Sequence, residues 1–184
     1  MLIVDNYDSF TYNIVQYIKM LGINPIVIKN DEMRLKQLQS LNFSHILLSP
    51  GWGNPDNSGI TMDVIDYYKD TKSILGVCLG MQCIAKYFGA SIVRAPEPYH
   101  GKNSEIYFDK DFELFKGFEQ GFSATRYHSL MVENCPYIKA RTKDGIPMAL
   151  KIPQKHIYGV QFHPEAILTE NGINVFKNWL SSNL

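Results

Sequence analysis

The chain has 184 residues, 45% apolar and 20% charged, with 13 glycines and 9 prolines, the profile of one globular domain over residues 1–184. This composition excludes collagen-like, low-complexity and disordered chains. Basic and acidic residues balance, 7 against 8 in residues 1–92 and 11 against 10 in residues 93–184, so neither nucleic acid nor a membrane surface is expected as a charge-bound partner.

In chain order, Leu2–Val4 reads as a strand and Phe10–Leu21 as a helix with Ile14, Tyr17, Ile18 and Leu21 on one face. Gly22 suits the left-handed residue that ends it. Pro25–Ile28 is a second strand, Leu35–Leu41 a helix and His45–Leu48 a third strand. Ile60–Tyr68 returns to helix, Ser73–Val77 is a buried strand, and Leu79–Phe88 is a helix closed by Gly89. Strand and helix alternating in this way imply a parallel sheet with crossover helices. Beyond residue 90 the predicted strands have short connections: Ser104–Phe108, Phe122–Tyr127, Ile138–Thr142 and Pro147–Ile152, with a turn at Lys143-Asp144-Gly145. Ile157–Phe162 is a further strand, and Ile173, Phe176 and Leu180 mark a final helix. The expected fold is α/β: one open, mostly parallel, flavodoxin-like sheet flanked by helices, with antiparallel additions near its edge.

The strongly apolar run Met1–Val4 is too short to cross a membrane or form a signal-peptide core. Three cysteines without paired-motif spacing suggest no disulfide scaffold, and a cytoplasmic protein is expected. Cys78 and Cys83 would point ~140° apart on their helix, and no second Cys/His pair has ligand spacing, so no metal is expected.

Chemistry concentrates in three segments. In Gly76-Val77-Cys78-Leu79-Gly80-Met81-Gln82 a thiol sits where a strand meets a helix, with glycines two residues to either side. That is the layout of a nucleophile elbow: a sharp, strained turn, close backbone approach, and helix N–H groups that favour thiolate and an oxyanion. The alternative is a buried cysteine packed under a strand. In Gln161-Phe162-His163-Pro164-Glu165, His163 and Glu165 share a side if the strand's extended path continues, which Pro164 favours. A carboxylate so placed can hold one imidazole nitrogen while the other faces a nucleophile, although an isolated His-x-Glu is usually a surface pair. Ser49-Pro50-Gly51-Trp52-Gly53 follows a strand, at the end of the sheet where ligand crevices form, and reads otherwise as a plain Pro-Gly turn.

Together, PGWG, GVCLGMQ and QFHPE in this order resemble the class I (triad) glutamine amidotransferases. Asp5-Asn6-Tyr7-Asp8-Ser9-Phe10-Thr11-Tyr12-Asn13, Arg94–Pro98 with His100-Gly101-Lys102, Arg126-Tyr127-His128-Ser129-Leu130 and Ile167–Glu170 resemble one branch. That branch is the small amidotransferase subunit of anthranilate synthase and aminodeoxychorismate synthase. The resemblance implies Cys78 as nucleophile, His163 as general base then acid, and Glu165 as the orienting carboxylate. It implies an oxyanion hole from the N–H groups of Gly51 and Leu79, and glutamine binding by Gly51, Trp52, Gly53, Gln82, Ser129 and Leu130. It implies no cofactor, L-glutamine as substrate, and a chorismate-binding synthase subunit that receives the ammonia; loop ordering on docking is expected to complete the oxyanion site and activate the glutaminase. A γ-glutamyl cysteine hydrolase and a non-catalytic regulatory module are the competing readings.

Three positions depart from the family's common pattern. Trp52 replaces a proline, which bears on loop rigidity; Met81 replaces a histidine and is expected to line the helix or a partner surface; Ala166 replaces a serine. Asp5, Asp8, Ser9 and Thr11 either cap the first helix or belong to the docking surface, where His100 and Lys102 are also expected. His128 is expected to be structural, as are Cys83 and Cys135; His45 and His156 have no assigned role; Tyr158, Phe162, Phe176 and Trp179 are expected in the core.

Overall fold

The computed structural model describes residues 1–182. In chain order the elements are β1 (Leu2–Asn6), α1 (Thr11–Met20), β2 (Ile26–Lys29), α2 (Leu35–Leu38), β3 (His45–Gly51), α3 (Thr61–Tyr68), β4 (Ser73–Val77), α4 (Leu79–Tyr87) and β5 (Ser91–Arg94). They continue as β6 (Lys102–Phe108), β7 (Phe122–Arg126), β8 (Leu130–Glu133), β9 (Ile138–Thr142), β10 (Pro147–Ile152), β11 (Ile157–Val160) and α5 (Ile173–Ser181). Nine strands form one sheet in the order β2-β1-β3-β4-β11-β10-β9-β6-β7. The first five are mutually parallel and the rest antiparallel, so the expected α/β architecture holds, with the flavodoxin-like strand order at its centre.

The position of β11 matters most. It pairs in parallel with β4, in the register Ile157↔Ile74 through Val160↔Val77, so two segments distant in sequence end side by side. Strands β1, β4 and β11 are buried throughout because both faces are covered. Ile3, Leu47, Leu75 and Val77 face α1 and α5 together with Tyr158, Phe162, Phe176 and Trp179. Leu2, Val4, Leu48 and Ile74 face the other layer with Val64, Met81 and Ile84. The Trp179 indole remains satisfied in the core by donating to Ser73 Oγ at 2.9 Å.

Several boundaries differ from expectation. α2 closes at Leu38 rather than Leu41, because its end tightens into i→i+3 turns and the Ser40 hydroxyl takes the Gln37 carbonyl. β5 and β8 were not expected; they pair into a separate antiparallel ribbon against α4. β11 ends at Val160, where the chain bends and His163 N–H bonds to Thr125 O on β7 at 2.9 Å. Met81 is fully buried, against Gly159, and faces no partner; a Cβ on Gly159 would lie 2.8 Å from Met81 Cγ. Among the described residues no helix is long and apolar enough to cross a membrane.

Candidate active site

Parallel strands β3, β4 and β11 lie side by side, and their carboxyl ends carry Gly51, Cys78 and His163 respectively. Cys78 is the residue before α4 and adopts φ 52°, ψ −103°. A left-handed φ at a residue with a side chain costs ~1–3 kcal/mol, and it is held by an over-determined turn. A Cβ on Gly76 would lie 2.3 Å from the Gly80 carbonyl carbon, and one on Gly80 would lie 2.3 Å from Leu48 O. Both flanking glycines are therefore required by close approach, as the elbow geometry demands.

His163 is buried between the edges of Phe10 and Tyr127, with ring centroids 6.0 and 5.2 Å away. Its Nδ1 lies 2.6 Å from Glu165 Oε1, while Nε2 has no hydrogen-bond partner among the described residues. The carboxylate accepts, so Nδ1 carries the proton in the neutral ring and Nε2 is left with a lone pair. Burial opposes charging this imidazole, but the Glu165 charge and the neighbouring Cys78 outweigh it and raise its pKa well above the ordinary value. The two side chains meet by a route other than the one expected. Pro164 and Glu165 form a turn, closed by Ala166 N–H to His163 O at 3.2 Å, and extended alternation plays no part.

Cys78 opens into a cleft of about 310 Å³ lined by Gly51, Trp52, Gly53, Leu79, Gln82, Ser129 and Leu130, all the residues expected to bind substrate or oxyanion. Trp52 is 81% exposed and sits on the rim. Gln82 donates to Leu130 O at 3.2 Å and to Gln161 Oε1 at 3.0 Å, and Gln161 in turn donates to Cys78 Sγ at 3.6 Å. His100 also lines the cleft, with its ring edge on Tyr127, rather than standing only in an outer loop. Cys83, by contrast, is sealed in the core, and burial pushes its thiol up to about 12.

Sequence reasoning missed Asn6, which clamps the Gly51 loop. Its backbone N–H bonds Ser49 Oγ at 2.8 Å, its amide donates to Ser49 O at 3.0 Å, and its Oδ1 accepts from Thr61 Oγ1 at 2.8 Å and Asn30 Nδ2 at 3.0 Å. A Cβ on Gly51 would collide with Asn6 Cβ at 2.5 Å. Asp5 is also buried, accepting from Thr11 Oγ1 and pairing with Lys29, so it faces inward rather than toward a partner. Neither Asp5 nor Thr11 provides a side-chain cap to α1; Asp8 Oδ1 instead takes the Phe10 N–H at 2.8 Å in the preceding turn. The only signal for these roles was a run of small polar residues after a strand.

Residues 2–182 match the family described as glutamine amidotransferase class-I. The chain belongs to that family. It is 43% identical to "anthranilate synthase component 2" of Cyanophora paradoxa, covering 98% of this chain and 97% of that protein. It is 41% identical to "aminodeoxychorismate/anthranilate synthase component 2" of Bacillus subtilis (strain 168), covering 98% and 95%. Among solved structures, a putative GMP synthase protein from Thermoplasma acidophilum superimposes with a TM-score of 0.86 at 27% identity, covering 97% of this chain and 90% of that one. Membership in the family makes this chain a glutamine amidotransferase, with a thiol, an imidazole and a carboxylate gathered at one end of its sheet.

Proposed function

We propose that this chain hydrolyses L-glutamine through a cysteine thioester and passes the ammonia to a chorismate-using synthase, serving as component 2 of an anthranilate or aminodeoxychorismate synthase. The observation that carries the reading is the convergence of Cys78 with the Glu165-oriented His163 at the ends of adjacent parallel strands, above a cleft for an amino-acid-sized molecule.

In this reading Cys78 Sγ attacks the side-chain amide carbon while His163 Nε2 takes the thiol proton. The N–H groups of Gly51 and Leu79 hold the oxyanion, at ~3–4 kcal/mol each. As the tetrahedral centre collapses the C–N bond breaks, His163 returns the proton to nitrogen, and ammonia leaves the Cys78 thioester. His163 then deprotonates a water that attacks the thioester, and glutamate departs as Cys78 regains its proton. Glu165 keeps Nδ1 protonated and stabilises the imidazolium formed in each half. Gln82 and the backbone at Ser129 and Leu130 hold the amino-acid end. A reduced cytoplasmic setting keeps the nucleophilic thiol available.

A synthase partner is supported by the names of both component 2 relatives and by an apolar rim. Behind Glu165, Phe10, Tyr127, Ile167 and Leu168 line a second cleft of about 330 Å³, and Ile167 is 93% exposed. A face of that kind is expected to gain from being covered.

Treatment with a glutamine-analogue electrophile tests the chemistry. A Cys78 adduct prevented by glutamine and absent in Cys78→Ser supports it, and His163→Ala is expected nearly to abolish turnover with the fold intact. A preference for γ-glutamyl peptides would mark the chain as a hydrolase, and no labelling even with the synthase present would mark it as a regulatory module. Co-purification with the native synthase and identification of the aromatic product test the pathway.

A further inference from the structure

Arg126, the last residue of β7, is buried and makes no salt bridge to a carboxylate among the described residues. Isolating a guanidinium in this way is costly, and most sites that bury one pair it with an anion. Here its contacts lead elsewhere. The guanidinium lies over the Tyr99 ring, 3.2 Å from the centroid, and Nη1 donates to Ser104 Oγ at 3.0 Å. Its Nε–H points at His128 Nε2, 3.0 Å away. Tyr99 also stacks on the His128 ring, with centroids 5.5 Å apart and planes 22° apart.

Arginine is donor-only and permanently protonated, so His128 Nε2 must accept and the ring's proton must sit on Nδ1. Nδ1 lies 2.8 Å from Leu130 O, where the other tautomer would set two lone pairs face to face. Burial first, and Arg126 second, lower the His128 pKa to about 4, so the ring is neutral at working pH. The carbonyl so held is the one that Gln82 also grips, and the chain of contacts runs on through Gln161 to Cys78. His128, Ser129 and Leu130 form one wall of the cleft, tied at its back by Ala95 N–H to Ser129 O at 2.9 Å and Tyr99 N–H to His128 O at 3.0 Å.

We propose that Arg126 and His128 are positioning residues: by fixing one imidazole tautomer they hold the Leu130 carbonyl, and with it the backbone that grips the amino-acid end of glutamine. The proposal rests on the glutamine reading above. Neither residue touches the reacting amide; both act on where the substrate lies.

His128→Phe keeps a ring against Tyr99 but removes both nitrogens. It is expected to raise the KM for glutamine about tenfold, through loss of the hydrogen bond that holds Leu130 O, with a much smaller fall in kcat. Alkylation of Cys78 by iodoacetamide, which has no amino-acid end, is expected to stay within about twofold of the unsubstituted protein. His128→Asn, whose amide can donate from the Nδ1 position, is expected to restore most of the KM. Nitrogen-15 spectra of the His128 ring in the unsubstituted protein are expected to show a protonated Nδ1 and a bare Nε2. An Nε2–H tautomer, an unchanged KM in His128→Phe, or iodoacetamide reactivity falling in step with glutamine turnover would overturn the proposal alone. Cys78 labelling that glutamine does not protect in the unsubstituted protein would overturn the glutamine reading, and this proposal with it.

Discussion

Replacing Asn6 by alanine tests how the proposed oxyanion loop is held. The substitution removes the amide that donates to Ser49 O and the Oδ1 that accepts from Thr61 and Asn30. Ser49 and Thr61 are fully buried, so the Ser49 carbonyl and the Thr61 hydroxyl lose a partner where water does not reach; Asn30 lies partly in solvent and can recover one. At ~1–3 kcal/mol for each of the two orphaned buried groups, the expected loss of stability is about 2–6 kcal/mol. Ser49-Pro50-Gly51 would keep only the backbone N–H bond from position 6 to Ser49 Oγ and so be loosened at the end of β1, and misplacing the proposed oxyanion donor Gly51 is expected to cost up to ~10²-fold in kcat. Urea denaturation measures the first quantity, and glutamine turnover at saturating substrate the second. Thr61→Val is the control: it deletes one of the same hydrogen bonds but leaves Asn6 tied to Ser49, so about 1 kcal/mol should be lost with turnover nearly intact. If Asn6→Ala costs less than about 0.5 kcal/mol and turns over normally, the clamp has no such role.

Gly172→Ala would place a Cβ 1.9 Å from Pro164 O, so the turn carrying His163 and Glu165 must shift; a large loss of turnover is expected although the substitution lies outside the cleft, and kinetics beside a melting curve would separate the two effects. The raised His163 pKa makes its contribution to stability complete below the unfolded value of ~6.5 and lost as pH rises through the higher folded value; Glu165→Gln should move the NMR titration of His163 downward, and an unmoved midpoint would exclude Glu165 as a cause. His128 works in the opposite window: with a folded pKa of about 4, its unfolded form binds the proton first, so stability should fall by about 3 kcal/mol as pH drops from ~6.5 to 4. Comparing pH–stability curves of the unsubstituted protein and His128→Asn isolates that loss, and parallel curves would contradict it.

The sequence was most legible where the two levels of structure agreed. Ser73–Val77, Ile138–Thr142 and Pro147–Ile152 form strands with the expected ends; the first and third are largely apolar runs, and Ile138–Thr142 stops at the Lys143-Asp144-Gly145 turn. The triad segments stood out because elbow glycines, a thiol and a His-Pro-Glu run are local patterns. Illegible were features whose cause lies in a distant partner. Ser91–Arg94 is a strand only because Leu130–Glu133 lies beside it, and its half-exposed pattern carries no clear alternation. Asn6 looks like any polar residue after a strand until Ser49, Asn30 and Thr61 arrive around it. Met81, expected to line the helix or a partner surface, is instead placed by the gap that Gly159 leaves in the core.

Strand β11 carries a consequence for the order in which the molecule comes into being. Strands β1 to β4 and their helices can pair as they leave the ribosome, but the side of β4 that β11 will occupy stays an open edge until the last quarter of the chain is made. Such late, non-local pairing is slow and leaves an unpaired strand exposed to other chains in the meantime. It also bears on the proposed nucleophile: Cys78 has neither His163 nor Glu165 beside it before β11 docks. In the proposed mechanism, truncated or nascent chains would therefore carry the thiol without its base, and ammonia release would begin only with a finished sheet.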